Sequence, residues 1–152
     1  MSKNQMMIYL AHGDDAKRKV VAANLELLSH EVGLSTGTPS MLISRCQESP
    51  PSVAIVGTGF ESDDAFDVLN QLSQQNTCAV IALLESSDID RSRRLMNDQV
   101  MGVLVEPVNE SDLRTSIYLA RRRFQQTRQM EARIDELQGE LDDSHQSTEH
   151  GK

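Results

Sequence analysis

Short apolar segments of this chain run into residues whose side chains decide what chemistry the chain could perform. In an open parallel sheet, the residues after the strand ends meet at one edge, where ligands and reacting groups lie. Three of these residues can accept a proton or bind a cation, whereas two glycines and a leucine can do neither. The residues at these ends are His12, Gly13, Asp14, Gly57, Leu84 and Glu106.

The three titratable side chains permit two interpretations. A repurposed site built from His12, Asp14, Asp15 and Glu106 would need about three ligands in suitable geometry to hold a metal. In the other interpretation, Asp14 or Asp15 caps the following helix, and Glu106 is solvated or pairs with His12. The second interpretation is favoured, because helix caps are common and the spacing of these residues is a weak match to a metal motif. The sequence therefore predicts no metal site, no cofactor and no catalytic residue.

A glycine-containing loop, Gly57-Thr58-Gly59, follows the third apolar segment. Backbone amides in such a loop can cradle a phosphate, but the phosphate-loop spacing is absent and no Lys follows. The segment is therefore predicted to be a flexible turn.

Strand and helix patterns alternate five times along the chain. Residues 6–11, 53–56 and 101–105 are apolar runs of strand length, and residues 34–38 are a shorter, weaker strand candidate. Residues 78–84 have the continuous apolar character of a strand covered on both faces. A shorter polar helix is predicted at 86–98. Short connections and right-handed crossovers then give an α/β fold with a parallel five-stranded sheet and helices on both faces.

The first predicted helix has a clear apolar face. Its apolar residues recur at steps of four, three and four, and they are Val21, Leu25, Leu28 and Val32. Gly33 follows where a glycine just beyond the helix end is commonly found, so the helix is predicted to end there.

Composition excludes several classes of protein. The chain has 152 residues, a net charge of −8, 3% aromatic residues and no Trp. The acidic balance and the lack of stacking groups make direct nucleic-acid binding an unfavoured function. No apolar run approaches the roughly 20 residues of a membrane span. Cys46 and Cys78 do not have metal-motif spacing, so reduced thiols and a cytoplasmic location are expected.

The last predicted helix is unusually long. Asn109 and Asp112 have capping-box spacing, and the helical pattern continues to Gln138 and past Gly139 to Asp143. Its first turns can cover the sheet. Beyond Ala120, a largely apolar stripe continues at steps of three and four, and a lone projecting helix could not bury it. The stripe consists of Phe124, Thr127, Met130, Ile134, Leu137 and Leu141.

We expect this stripe to form a parallel homodimeric coiled coil, although the steps of three and three at Phe124, Thr127 and Met130 interrupt a strict heptad. The alternative is a single amphipathic helix folded back on its own domain. The chain is thus predicted to comprise a domain at 1–120, a helical extension at 121–143 and a disordered tail at 144–152.

Five arginines on the same helix permit a nucleic-acid interpretation. Arg121, Arg122, Arg123, Arg128 and Arg133 are basic, but four carboxylates follow within a few turns. A solvated helix face with balanced charge is the favoured interpretation.

The order and spacing of these elements over about 6–120 resemble the receiver domain of bacterial response regulators. The segment Gly102 to Val108 resembles the family's fifth strand followed by Lys-Pro, and the segment Pro51 to Gly57 resembles its third strand ending in Asp. The resemblance implies a flavodoxin-like (βα)5 fold with strand order 2-1-3-4-5.

The resemblance also implies a phosphorylation pocket, and this chain departs from it at nearly every position. The family uses an acidic pair that holds Mg²⁺, an acceptor Asp, a Thr or Ser, and a Lys. Here His12-Gly13 stands at the acidic pair, with Asp14 the nearest carboxylate, while Gly57 replaces the acceptor, Leu84 the hydroxyl residue and Glu106 the Lys.

The chain is therefore predicted to be a degenerate receiver that signals through protein contacts without phosphorylation and without catalysis. A receiver-like body followed by a coiled coil also resembles the front half of ANTAR-type antitermination regulators, which carry an RNA-binding module after it. That is one alternative function for the whole protein. A small-molecule sensor or enzyme that uses the altered pocket is another.

Overall fold

The five strands found in the described residues form one parallel sheet. The computed structural model describes the backbone of residues 5–91 and 100–150 and the side chains as far as residue 139. The strand order is β2-β1-β3-β4-β5, which confirms the predicted flavodoxin-like arrangement. The strands are β1 (Met7–Ala11), β2 (Glu31–Thr36), β3 (Val53–Val56), β4 (Ala79–Leu84) and β5 (Gly102–Val105), and the α-helices are α1 (Asp15–Leu27), α2 (Pro39–Glu48), α3 (Ala65–Gln75) and α4 (Glu110–His150).

Each face of the sheet is covered by a separate apolar core. Alternate residues of a strand point to opposite faces, so Ile8 and Leu10 lie in one core while Tyr9 and Ala11 lie in the other. Helices α2 and α3 complete the core around Tyr9, and helices α1 and α4 complete the core around Leu10. Both faces of β3 and β4 are buried, as the apolar runs predict.

Helix α1 ends five residues earlier than the sequence pattern predicts. It ends at Leu27, and Ser29 adopts a positive φ of 69° directly before the turn into β2. Gly33 lies inside β2, where the register against β1 shifts between Ile8 and Tyr9. A side chain at Gly33 would collide with Met7 and Tyr9. Gly33 therefore lies at a close contact between strands and does not mark the end of the helix.

The connection after β4 begins with a short 3-10 helix, Ser86–Asp88. The backbone N–H of Glu85 donates a hydrogen bond to the Asp88 carboxylate (3.2 Å), which closes this turn. The sequence predicts a longer helix over 86–98, but residues 92–98 of that prediction lie outside the described residues.

Helix α4 begins at a capping interaction that the sequence predicts. The Asn109 Oδ1 accepts a hydrogen bond from the backbone N–H of Asp112 (2.7 Å). Leu113, Ile117 and Ala120 are buried against the sheet. The backbone stays helical to His150, so the structure has no helix end at residue 143, and the division at 120 and 143 stays a prediction.

Candidate functional site

His12 occupies the centre of the carboxyl edge of the sheet. It directly follows β1 and is 1% exposed. Its backbone N–H donates to the carbonyl of Thr36 (3.0 Å), and its own carbonyl accepts from Nη1 of Arg18 (3.0 Å). These two bonds fix the backbone that carries the ring between the ends of β2 and α1.

Both ring nitrogens of His12 are engaged. The backbone N–H of Asp14 donates to Nδ1 (3.0 Å), so Nδ1 is an unprotonated acceptor. Nε2 lies 2.7 Å from Oε1 of Glu106 and therefore carries the proton that this carboxylate accepts. Neither nitrogen is free to act as a general base or to bind a metal. His12 and Glu106 thus join the ends of β1 and β5 across the sheet.

Gly57 provides the space in which the His12 ring lies. A Cβ atom at Gly57 would lie 2.6 Å from Cγ and 2.8 Å from Nε2 of His12, well inside van der Waals contact. The imidazole therefore fills the volume that a side chain at the end of β3 would need. The small residue at the end of β3 and the large ring at the end of β1 are therefore complementary in volume.

Gly13 allows the first and third connections to touch. A side chain there would collide with the backbone of Gly59 and Phe60. The backbone N–H of Gly13 instead donates to the carbonyl of Thr58 (2.9 Å). The Gly57-Thr58-Gly59 segment is therefore held against the β1–α1 connection by a backbone hydrogen bond, and its flexibility stays a prediction.

The carboxylate of Glu106 is buried, with 8% of its side chain exposed. Lys17 lies at its outer side, with Nζ 3.2 Å from Oε1 of Glu85 and 3.9 Å from Oε2 of Glu106. The hydrogen bond to Glu85 raises the pKa of the Lys17 ammonium. Sequence patterns give no signal for Lys17 and Arg18, because both also suit an ordinary solvated helix face.

The side chain of Asp14 caps α1. Its carboxylate accepts a hydrogen bond from the backbone N–H of Lys17 (3.0 Å), and this bond lowers the pKa of the Asp14 carboxyl. The structure thus confirms the interpretation in which Asp14 is a cap and Glu106 pairs with His12. Leu84 is buried in the core between the sheet and α3. Among the described residues, no group of three or more His, Cys, Asp or Glu side chains is placed to hold a metal ion.

The predicted apolar stripe on α4 is only partly exposed. Phe124 does not lie on it, because its ring is 6% exposed and packs in the core between the sheet, α1 and α4. Thr127 is half-buried. Met130, Ile134 and Leu137 are 65%, 52% and 48% exposed. The side chain of Leu141 lies outside the described residues.

No protein-family model matches this chain, and no curated protein matches it. The solved structures to which it is similar include a response regulator receiver domain protein from Clostridium thermocellum. That structure has 20% identity and a TM-score of 0.71, with 80% of this chain and 98% of the other covered. The signal receiver domain of a modulated diguanylate cyclase from Desulfovibrio desulfuricans G20 has 17% identity and a TM-score of 0.73, with 82% and 99% covered.

A third similar structure contains a coiled coil. It is a fusion of the yeast Spc42 trimeric coiled coil to another structure, with 15% identity, a TM-score of 0.73, and 93% of this chain and 99% of the other covered. Together these similarities show that the fold is that of a receiver domain, followed by a long C-terminal helix. None of the described helices has the length and apolar content needed to cross a bilayer.

Proposed function

We propose that this chain is a pseudo-receiver, which takes part in signal transduction through protein contacts and does not use phosphorylation. The observation that carries the proposal is the position of the His12 ring. It lies against Gly57, where the receiver family has its acceptor Asp, and it is hydrogen-bonded to Glu106, where the family has its Lys. The pocket is filled by the chain's own side chains.

The charges and shapes in the filled pocket oppose phosphoryl transfer. Gly57 has no nucleophile, and the Glu106 carboxylate would repel the phosphoryl oxygens that a Lys stabilises. The buried alkyl side chain of Leu84 cannot donate a hydrogen bond to them. Asp14, the nearest carboxylate to the family's acidic pair, is occupied as a helix cap.

Incubation with acetyl phosphate and Mg²⁺ tests this part of the proposal. We expect no acid-stable, hydroxylamine-labile aspartyl phosphate on the intact protein by mass spectrometry, because no carboxylate lies at the acceptor position. A receiver domain with an intact acceptor Asp, treated in parallel, serves as the positive control. Stoichiometric labelling of this chain would overturn the assignment.

The second part of the proposal is a parallel homodimer through α4. With Phe124 committed to its own domain, the remaining stripe has regular steps of three, four, three and four from Thr127 to Leu141. The three-three irregularity predicted from the sequence therefore disappears. Ile134 then takes position a and Leu137 position d of a heptad, a combination that favours two-stranded parallel coiled coils.

Sedimentation at micromolar concentration tests the dimer. We expect the wild-type chain to be a dimer and Ile134→Asp to be a monomer, because a carboxylate at position a would be buried in the seam without a partner. Ala132→Asp is the matched control, since residue 132 falls at the outward position f and should leave the dimer intact. A monomeric wild type, or equal effects of the two substitutions, would refute the seam.

A cytoplasmic location is part of the same proposal. Cys46 and Cys78 are both buried and free in the folded chain. Unpaired thiols are the usual state in a reducing compartment.

A further inference from the structure

Charge is unevenly distributed along α4. Between residues 113 and 130 the sequence contains five arginines and no Asp or Glu, in a chain whose net charge is −8. The carboxylates that are predicted to balance them begin only at Glu131. The part of the helix that lies against the domain is therefore strongly basic.

The arginines at the middle of this segment keep their charge unneutralised. Within the described part of the chain, neither Arg121 nor Arg122 forms an ion pair with a carboxylate. The guanidinium of Arg121 lies 6.0 Å from the centre of the Phe124 ring, and Nη1 of Arg122 donates to the hydroxyl of Tyr118 (3.2 Å). These contacts orient the two cations without cancelling them.

A cavity of about 350 Å³ opens between these arginines and the start of the sheet. Among the described residues, its walls contain hydrogen-bond donors and no carboxylate, which is the chemistry that binds an anion, and a phosphate above all. The polar residues in its lining are Gln5, Ser52, Tyr118, Arg121, Arg122 and Gln125.

A second cavity of about 290 Å³ adjoins the first and shares Met6 and Tyr118 with it. This second cavity is more apolar, with Ile117 and Leu119 in its lining beside His30, Arg114 and Thr115. Tyr118 is half exposed, so its ring can offer a face to both cavities. A donor-rich compartment beside an aromatic and apolar one fits a molecule that carries a phosphate on one side and a planar ring on the other.

We infer that this groove is a binding site for a free nucleotide, with the phosphate on Arg121 and Arg122 and the base against Tyr118. The site is separate from the filled pocket at the opposite edge of the sheet. At 3.6 residues per turn, Tyr118 and Gln125 lie on α4 roughly opposite the stripe that contains Ile134. The site therefore stays open when the proposed dimer forms, and it does not depend on that dimer.

Calorimetric titration of the full chain with AMP and GMP, and with inorganic phosphate, tests the inference. We expect either nucleotide to bind at least about tenfold more tightly than phosphate alone, because stacking on Tyr118 adds to the ionic contacts. We expect Gln125→Glu to weaken nucleotide binding by about tenfold or more, because it places a like charge inside the cavity without changing side-chain size.

Gln129→Glu is the matched control. It makes the same change one turn further along α4, outside the cavity lining. Binding by this variant should stay within about twofold of wild type.

The site is refuted if neither nucleotide binds, or if the two variants lose affinity equally. It is also refuted if a single-stranded oligonucleotide binds while AMP and GMP do not, since a nucleic-acid surface would then be present instead. Circular dichroism of both variants shows whether the helix is intact, and backbone amide shifts at residues 118–125 on adding AMP give a readout independent of either variant.

Discussion

The carboxyl edge of the sheet and the outer half of α4, the part beyond Phe124, differ in how completely their side chains are hydrogen-bonded or buried within a single chain. At the sheet edge, a buried histidine has both ring nitrogens hydrogen-bonded and a buried carboxylate has its partner. On the outer half of α4, Met130, Ile134 and Leu137 are each about half exposed or more, with no partner surface among the described residues. In receiver domains the first region carries the chemistry. In this chain its central histidine and carboxylate are hydrogen-bonded to each other.

This difference bears on where a partner would bind. The His12–Glu106 pair contributes to the fold, and neither ring nitrogen of His12 is left over for a substrate. An exposed apolar stripe is unfavourable in water and is stabilised by covering it. The exposed stripe of α4 is thus the surface through which we propose that a second copy of the chain binds.

The largest expected effect separates the two halves of α4 directly. Ile117 is 1% exposed in the core, so Ile117→Ala should lower the free energy of unfolding by about 2–5 kcal/mol. Ile134→Ala, the same substitution on the exposed half, should leave the stability of the body unchanged and weaken only the dimer. Urea denaturation at a protein concentration below the dimer dissociation constant measures the free energy of unfolding of both variants without a contribution from the dimer. A large loss for Ile134→Ala under those conditions would mean that the outer half packs on its own domain.

A smaller effect is expected in the filled pocket. Gly57→Asp restores the family's acceptor but forces a side chain into the His12 ring, and overpacking of this kind costs about 1–3 kcal/mol. Combining it with His12→Ala removes the ring. The free energy of unfolding of the double variant, measured by urea denaturation, should therefore exceed the value expected from adding the two single losses by about 1 kcal/mol.

Gly139→Asp is the control for that experiment, because a Cβ atom at Gly139 has no neighbouring atom within 4 Å. It should change the free energy of unfolding little. Strictly additive effects of Gly57→Asp and His12→Ala would show that the two positions do not share one volume.

The smallest effect concerns pH and lies outside the filled pocket. Burial lowers the pKa of His30, and its Nδ1 accepts a hydrogen bond from the backbone N–H of Met6 (3.2 Å), which requires the neutral ring. The stability from this neutral His30 is present above its ordinary pKa of about 6.5 and is lost as the pH falls through its lower folded value. The melting temperature should thus fall on acidification below about pH 6.5.

His30→Asn should flatten that dependence, because its side-chain oxygen can accept the same hydrogen bond without titrating in this range. The comparison is a set of melts of both proteins between about pH 7.5 and 5. An unchanged slope in His30→Asn would show that another group is responsible.

The fold could be predicted from the sequence because its signals are local and periodic. Continuous apolar runs give buried strands, and their alternation with helical patterns gives the parallel sheet. The Asn109 cap was also predictable, because capping depends on residues only three apart. The end of α1 was not, because Gly33 serves a contact with β1 that spacing along the chain does not reveal.

The site could be predicted only in part. Sequence comparison with receivers indicates which groups are missing, but the packing of His12 over Gly57 joins residues far apart in the chain. The burial of Phe124 had no signal either, since a phenylalanine on a helix suits a core and a coiled-coil stripe equally well. The position of Phe124 around the helix axis distinguishes a core residue from a coiled-coil residue only once the packing of α4 on the sheet is known.

Helix α4 runs without a break from the residues that pack on the sheet to those that would form the seam. Its buried face near Ile117 and its exposed face near Ile134 are therefore fixed about one axis, roughly 90° apart. Any torsion of the helix on the sheet must turn the exposed stripe by the same angle. In a dimer, rotation of α4 about its axis on either sheet would therefore also rotate that helix within the coiled coil. A molecule that twists α4 at the sheet would then turn the apolar stripe relative to the partner helix.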